Sequence, residues 1–431
     1  MATSQPVTYH EPSLPHLLTL IAFLYLLQVS RTLADRALGA GLLGEIAVGV
    51  VFGPVAGIML QEWEETLVAV GYIGLVVIVF EGGLHLSPTH FLPSLPLAVG
   101  AVLQGAALID DVVALVLLSV ITALGEGDGG SEGLGWTIGR PILASVVLAA
   151  VAPAVAFGPA RWMWRRAGGG KLVEKGGARA ELAVGVAALS AFLAIAYYAG
   201  TTMLLGAFLA GVFLYALPEE DSKVSFSRTY HTHVETLQTY IFCPLFFGSI
   251  GLTIPFLSLW TGRVIWRGIV YSILMTLGKV LVGLTILAVD AFASPSPSPS
   301  SSSSPAKELP LSAEASTMAE RGDGDLRRAG EGQPSSKAEL FKKETLPAGA
   351  FLGIALVARG EVGVLILQVA YSSSSSTDGT GSRVLGTEAY LVALWAVAVC
   401  TIVGPVAFSW LAKRFGASIY KGRWGAQVGG K

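Results

Sequence analysis

The sequence predicts an all-α, polytopic membrane protein with about eleven transmembrane helices, and three observations support this prediction. First, 53% of the 431 residues are hydrophobic and only 13% are charged, unlike an ordinary soluble protein. Second, the apolar residues form long runs, and about 20 such residues cross the hydrocarbon core of a bilayer. Third, the basic residues are concentrated in alternate connecting segments. The net charge of −2 does not indicate a nucleic-acid partner.

Several of the apolar segments contain a Gly or Pro that interrupts a regular helix. The eleven predicted spans are residues 14–30, 42–60, 67–86, 97–123, 137–158, 180–199, 201–217, 236–255, 266–290, 346–371 and 388–412. Interruptions such as Gly53-Pro54 and Pro244 are tolerated in membranes because neighbouring helices satisfy the freed backbone groups. We interpret the first segment as a retained span rather than a signal peptide, since no Lys or Arg precedes Arg31.

Loop charges predict the orientation of these spans. With the N-terminus outside, the cytoplasmic segments contain most of the 28 basic residues, including Arg31, Arg36 and the cluster from Arg161 to Arg179. The predicted loop at 124–136 carries three acidic residues and no cation, which fits the outer side. The C-terminus is therefore predicted to be cytoplasmic. The sequence leaves both the plasma membrane and an endomembrane open as its location.

The chain divides by composition into four regions. They are a first transmembrane part, a disordered Ser/Pro-rich cytoplasmic loop, the last two spans and a basic cytoplasmic tail, at residues 1–290, 291–345, 346–412 and 413–431. Cys243 and Cys400 lie far apart in apolar stretches, so we interpret them as inert membrane-buried thiols. No pattern indicates a cofactor.

Two adjacent aspartates lie at the centre of a 27-residue apolar run. Asp110 and Asp111 are the only charged residues between Leu97 and Ala123, which places them near the bilayer midplane. A carboxyl group there costs about 2.5–3.5 kcal/mol on insertion scales, so its presence indicates ion binding, proton transfer or pairing with a buried cation. Neighbouring helix residues point about 100° apart, so one aspartate is expected to meet a cation and the other a water-filled cavity. The pair predicts an ion-coupled transporter.

Two basic residues are also predicted to lie within spans. Lys279 occurs in the middle of the ninth span, and Asp110 or Asp111 is its expected partner. Arg359 lies beside Glu361 in a glycine-rich span, as expected where a helix breaks and its exposed ends help to form an ion site. The alternative is a purely local Arg–Glu packing pair.

Three further titratable residues are predicted at the cytoplasmic side. Glu81 lies near a membrane edge, where it is either a solvated helix cap or part of an ion path. His231 and His233 lie in a cytoplasmic loop, either as pH sensors or as ordinary solvated side chains.

Six segments, in order along the chain, resemble the sodium/hydrogen exchanger family of the monovalent cation/proton antiporter superfamily. They are GEIAVGVVFGP, GYIGLVVIVFEGGLHL, ALIDDVVALVLLSV, LLGAFLAGVFL, CPLFFGSIGLTI and ALVARGEVGVLI. The resemblance implies thirteen spans in two inverted repeats, with an ion-binding core domain that moves against a dimerisation domain. It also implies a transporter rather than an enzyme, a homodimer in the lipid bilayer, and protons and Na⁺ or K⁺ as substrates.

The resemblance also implies roles for the charged residues. In family members with paired aspartates the second carboxylate binds the ion and alternately carries protons, which makes Asp111 the expected exchange carboxylate and Asp110 its neighbour. Lys279 is the candidate counter-charge. Arg359 and Glu361 match the family's Arg-Gly-Glu segment. The paired form resembles the branch that includes electrogenic sodium/proton and potassium/proton exchangers.

The sequence departs from the family pattern in the first repeat. Only 26 residues separate Gly83 from Asp110, whereas the family pattern has two further spans here, including a Ser/Thr-rich broken helix. We therefore predict that part of the first repeat is missing, through exon skipping or an incorrect gene prediction, and that exchange by this form is weak or absent.

Other functional classes fit the pattern less well. A non-transporting or regulatory isoform is the alternative that the missing spans favour. An intramembrane aspartyl protease also uses two buried aspartates, but it needs them on separate helices that face each other, and Asp110 and Asp111 are consecutive. A channel would need a continuous pore without an alternating barrier.

Overall fold

The chain is built from helices of very different lengths. The computed structural model describes residues 13–85, 110, 112–123, 134–218, 224–292, 346–357, 361–372 and 385–421, and contains no strand within these ranges. The main helices are α1 (Leu14–Leu38), α2 (Gly41–Val50), α3 (Gln61–Leu84), α4 (Val112–Ala123), α5 (Leu134–Val155), α6 (Gly169–Ala199), α7 (Met203–Ala216), α8 (Phe226–His233), α9 (Cys243–Thr253), α10 (Gly262–Phe292), α11 (Leu346–Val357), α12 (Glu361–Ser372) and α13 (Thr387–Lys421).

Six described helical segments are long and apolar enough to cross a membrane. They are Leu14–Ala37, Gln61–Leu84, Gly139–Arg166, Gly169–Ala199, Gly262–Leu284 and Thr387–Arg414. Each of the other five predicted spans also overlaps a described helix, but those helices are shorter or interrupted. Many large apolar side chains on the long helices are exposed, as expected for faces that meet lipid. The structure thus confirms an all-α, multi-pass membrane protein. The predicted loop 291–345 and the end of the tail lie outside the described residues, apart from the last turn of α10.

Two of the predicted interruptions, Gly53-Pro54 and Pro244, and a further Gly-Pro pair at 158–159 correspond to local changes in helix winding, whereas the predicted interruption at Pro153 lies within regular α-helix. A π-helical turn, Val51–Val55, continues α2 and contains Pro54, and a second, Ala156–Ala160, continues α5 and contains Pro159. Both turns carry the sequence Phe-Gly-Pro. A third π turn, Gln238–Phe242, leads into Pro244 at the start of α9. Because proline removes an N–H and crowds the preceding turn, the widened winding keeps the chain helical through these positions.

Helix α1 extends further than predicted and places a basic side chain against α2. Arg31 lies in the last two turns of α1 rather than in a loop, and α1 ends at Gly39, whose φ of 68° lets the chain turn back. The Nη1 atom of Arg31 lies 3.1 Å from Oε1 of Glu45 and donates to the carbonyl oxygen of Thr239 at 2.7 Å. Glu45 is 1% exposed and Arg31 32% exposed, so this ion pair lies at a buried edge of the helix bundle.

Helix α3 packs between α7 and α9, and a glycine lies at the closest approach to each of them. A Cβ atom added at Gly83 would overlap the carbonyl oxygen of Phe208 on α7 and lie 3.0 Å from the Cα atom of Gly211. A Cβ atom at Gly74 would lie 2.6 Å from the carbonyl oxygen of Phe242, at the start of α9. Small residues at such crossings allow membrane helices to approach closely. Helices α10, α11 and α13 pack together as a second group.

Substitution of Gly83 by Ala is expected to destabilise the protein by about 1–3 kcal/mol, because the new methyl group forces α3 and α7 apart. The matched control is Gly82→Ala: Gly82 is the preceding residue of the same helix, and a Cβ atom there would meet nothing within 4 Å. Thermal unfolding of both variants in detergent tests the difference. Equal stability of the two variants would contradict the close crossing.

Candidate functional site

Helix α4, which follows the paired aspartates in the sequence, forms hydrogen bonds with two neighbouring segments. Helical structure is described at Asp110 and from Val112 onward, whereas Asp111 lies outside the described residues. The hydroxyl of Thr202 donates to the carbonyl oxygen of Leu115 at 3.5 Å, and the hydroxyls of Ser119 and Ser145 lie 3.3 Å apart in a buried contact with α5. Asp110 itself is exposed. These bonds therefore hold α4 at Leu115, in its first turn, and at Ser119, near its middle.

The other predicted charges of the transport site lie in the second helix group. Lys279 is partly buried on α10, which packs against α11 and α13. Arg359 lies outside the described residues, between α11 and α12, and only the backbone of Glu361 is described, as the first residue of α12. Within the predicted span 346–371 the structure describes two 12-residue helices, Leu346–Val357 and Glu361–Ser372.

Glu81 belongs to a polar network at the C-terminal end of α3, which the sequence did not predict. One carboxylate oxygen of Glu81 accepts a hydrogen bond from the side-chain amide of Gln238, and the other lies 3.6 Å from Nε2 of His85. The imidazole of His85 lies beside that of His231, with ring centroids 4.7 Å apart. The prediction that Glu81 and His231 lie on the same side of the membrane fits this arrangement.

Tyr230 extends the network into the protein. Its hydroxyl donates to the side-chain carbonyl of Gln238 and lies 3.3 Å from the carbonyl oxygen of Val77. Burial raises the pKa of Tyr230 well above its ordinary value, and the nearby charge of Glu81 raises it further. The phenol therefore stays protonated at physiological pH and keeps Gln238 oriented so that the Gln238 amide faces Glu81.

Two further buried acidic residues, Glu45 and Glu181, were not predicted from the sequence. Glu45 pairs with Arg31, as described above. Glu181 is 9% exposed and accepts a 2.5 Å hydrogen bond from the hydroxyl of Thr229. It borders a mostly apolar cavity of about 110 Å³ between α3, α6 and α8. In the sequence, each of these glutamates is recognisable as an acidic residue inside or next to an apolar segment. Their partners, Arg31 and Thr229, could not be predicted because they have no fixed spacing from the glutamates along the chain.

Comparison with known protein families identifies one family that matches most of this chain. The family described as "Sodium/hydrogen exchanger, transmembrane" matches residues 93–414, about three quarters of the chain. The match includes both aspartates, Lys279, Arg359 and Glu361, whereas Glu81 precedes it. A search of curated proteins found no match. Members of the matched family are cation/proton antiporters in membranes and are not enzymes. The extent of the match shows that this chain belongs to the sodium/hydrogen exchanger family.

Proposed function

We propose that this chain is a form of a monovalent cation/proton antiporter in which Asp111 binds the cation and alternately carries protons. The main support for the proposal is that the family match includes Asp110 and Asp111 as well as Lys279, Arg359 and Glu361. A carboxylate that exchanges one monovalent cation for protons couples the two fluxes, because both species compete for the same oxygen atoms. Both Na⁺ and K⁺ prefer oxygen ligands, so both are proposed as substrates.

The two aspartates have different roles in this proposal. Because they point about 100° apart on a helix, Asp110 is free to pair with Lys279 while Asp111 lines the ion path. The partial burial of Lys279 on α10 supports this pairing, since an ammonium group held away from water requires a charged or polar partner. The pairing keeps one charge of the site constant while Asp111 changes its occupant.

Arg359 and Glu361 are proposed to support the site from a helix break. The segment containing Arg359 separates α11 from α12, and Glu361 begins α12. Helix starts carry a partial positive charge and helix ends a partial negative charge, so a break within the membrane places both beside a transported ion. Glu81 is proposed as a contributor at the cytoplasmic end of the path.

We further propose that this form lacks two spans and exchanges ions weakly or not at all. The short connection between Gly83 and Asp110 supports this, as does the exposure of Asp110, since the broken helix of the first repeat would otherwise help to shield the aspartates. A non-transporting or regulatory isoform follows from the same observation. The intact protein is proposed to be a homodimer with a cytoplasmic C-terminus.

The test compares this chain with a version in which the two spans are restored between Gly100 and Gly105. Both are reconstituted into proteoliposomes, and a pH gradient drives Na⁺ or K⁺ flux. We expect the restored protein to exchange at least on the order of ten times faster, because its site is closed to lipid and to bulk water. Equal and robust exchange by both forms would contradict the missing-span proposal. An uninterrupted genomic exon across the codons for Gly100 to Gly105 would also contradict it.

A further inference from the structure

Three side chains with metal-binding atoms meet at the C-terminal end of α3. Glu81 and His85 lie one helical turn apart on this end, and His231 comes from α8. One ligand atom from each of the three residues lies within 4.8 Å of the others. The three residues of this cluster differ from those proposed for the transport site at Asp111 and Lys279, and the family match does not include Glu81 or His85.

Neighbouring side chains already orient two of these three groups. The carboxylate of Glu235 lies 2.8 Å from Nδ1 of His231, which leaves Nε2 of His231 available as a ligand. The amide of Gln238 donates to one oxygen of Glu81, which leaves the other oxygen facing His85. Metal-binding histidines in proteins usually donate their second ring N–H to a carboxylate in this way, which fixes the tautomer and the ring direction.

We propose that Glu81, His85 and His231 form a binding site for a divalent transition-metal ion of the zinc type. Two imidazoles and one carboxylate are ligands that Zn²⁺ accepts, with bonds of about 2.0–2.2 Å. Tetrahedral geometry then requires the ligand atoms to be about 3.4 Å apart, so small side-chain rotations close the cluster around the ion. The imidazoles disfavour Na⁺, K⁺, Ca²⁺ and Mg²⁺, which prefer oxygen ligands.

The site is accessible to an ion and to a fourth, water ligand. The side chains of His85 and His231 are 43% and 39% exposed, and that of Glu81 is 23% exposed. A bound ion would link the end of α3 directly to α8, the helix that precedes the third π turn and α9. Because α3 also packs against α7 and α9, the ion would connect this group of three helices to α8.

The experiment measures Zn²⁺ binding to the full-length chain in detergent, without a histidine tag and after treatment with a chelator. Titration calorimetry is expected to give one Zn²⁺ per chain, and Co²⁺ is expected to give the visible absorption of a tetrahedral site. His85→Gln and His231→Gln are each expected to weaken Zn²⁺ binding at least tenfold. Glu235→Gln is expected to weaken it by about tenfold, through loss of the orientation of His231.

His233→Gln is the matched control. His233 lies on α8 two residues after His231 and is exposed, but its Nδ1 atom contacts the carbonyl oxygen of Thr229 at 3.1 Å and it is not part of the cluster. Its replacement is expected to leave Zn²⁺ affinity unchanged. Thermal unfolding with and without Zn²⁺ provides a second readout, because at the same Zn²⁺ concentration the ion should raise the unfolding temperature of the wild type and of His233→Gln more than that of the other three variants.

Two results would overturn the site. One is binding that survives in His85→Gln and His231→Gln, or that is weakened equally by His233→Gln, which would indicate nonspecific binding to surface histidines. The other is the absence of Zn²⁺ binding by the wild-type chain. Normal gel-filtration behaviour and unchanged unfolding of the metal-free variants would show that a lost affinity reflects the site rather than misfolding.

Discussion

Asp111→Asn in the span-restored protein is expected to abolish cation/proton exchange, with a loss on the order of 100-fold or more. An amide has nearly the size of the carboxylate, but it carries no negative charge for the cation and has no proton to release at physiological pH. Both halves of the exchange therefore fail together. The measurement is pH-driven Na⁺ and K⁺ flux in proteoliposomes, with the variant reconstituted at the same protein-to-lipid ratio as its parent.

The matched control for this substitution is Asp128→Asn. Asp128 belongs to the acidic segment that the sequence places outside the membrane, so the same chemical change there is expected to leave flux unaltered. Robust exchange by Asp111→Asn would remove Asp111 from the transport step. Equal loss in both variants would point to a general effect of surface charge on reconstitution instead.

Arg31→Met is expected to cause the largest loss of stability, about 3 kcal/mol. Removal of the guanidinium leaves the carboxylate of Glu45 buried without its ion pair and takes a donor from the carbonyl oxygen of Thr239. Breaking a buried pair from one side is costly, whereas replacing both partners by apolar groups is often neutral. Chemical or thermal unfolding in detergent measures the free-energy change.

The double variant Arg31→Met/Glu45→Met distinguishes a broken ion pair from lost packing. It is expected to recover much of the stability lost in Arg31→Met, because no uncompensated charge remains in the bundle. Arg36→Met is a control of the same type on the same helix, since Arg36 is exposed in the last turn of α1. A double variant as unstable as Arg31→Met would show that the Arg31 side chain acts through its apolar stem.

The length of the apolar runs predicted most of the helices, because a helix satisfies all of its own backbone hydrogen bonds and is therefore the main structure that can cross lipid. In the described part of the chain it placed α5 and α10 within about four residues of their observed bounds, whereas α3 begins six residues before its predicted span and α13 ends nine residues beyond its own. It could not predict how Gly-Pro segments such as 51–55 wind, because a proline permits a kink, a break or a π turn. The neighbouring helices decide among these outcomes.

The polar sites were predicted only in part, for a different physical reason. Asp110, Asp111 and Lys279 stand out in sequence because a charge within an apolar run is costly wherever it lies. The network of Glu81 was not predictable, since Gln238 and His231 lie about 150 positions further along the chain. The packing of α3 against α8, the third π turn and α9 brings them together, and the close approach at Gly74 depends on a partner, Phe242, that the sequence does not identify.

The glycine contacts on two sides of α3 also determine where a spectroscopic reporter can be attached. Gly74 and Gly83 leave no room for added atoms, whereas Ile73 on the same helix is 54% exposed. A spin label at Ile73 would therefore project away from α7 and α9. Paired with a second label at Ile269 on α10, which is 43% exposed, it would record the separation of the two helix groups during a transport cycle.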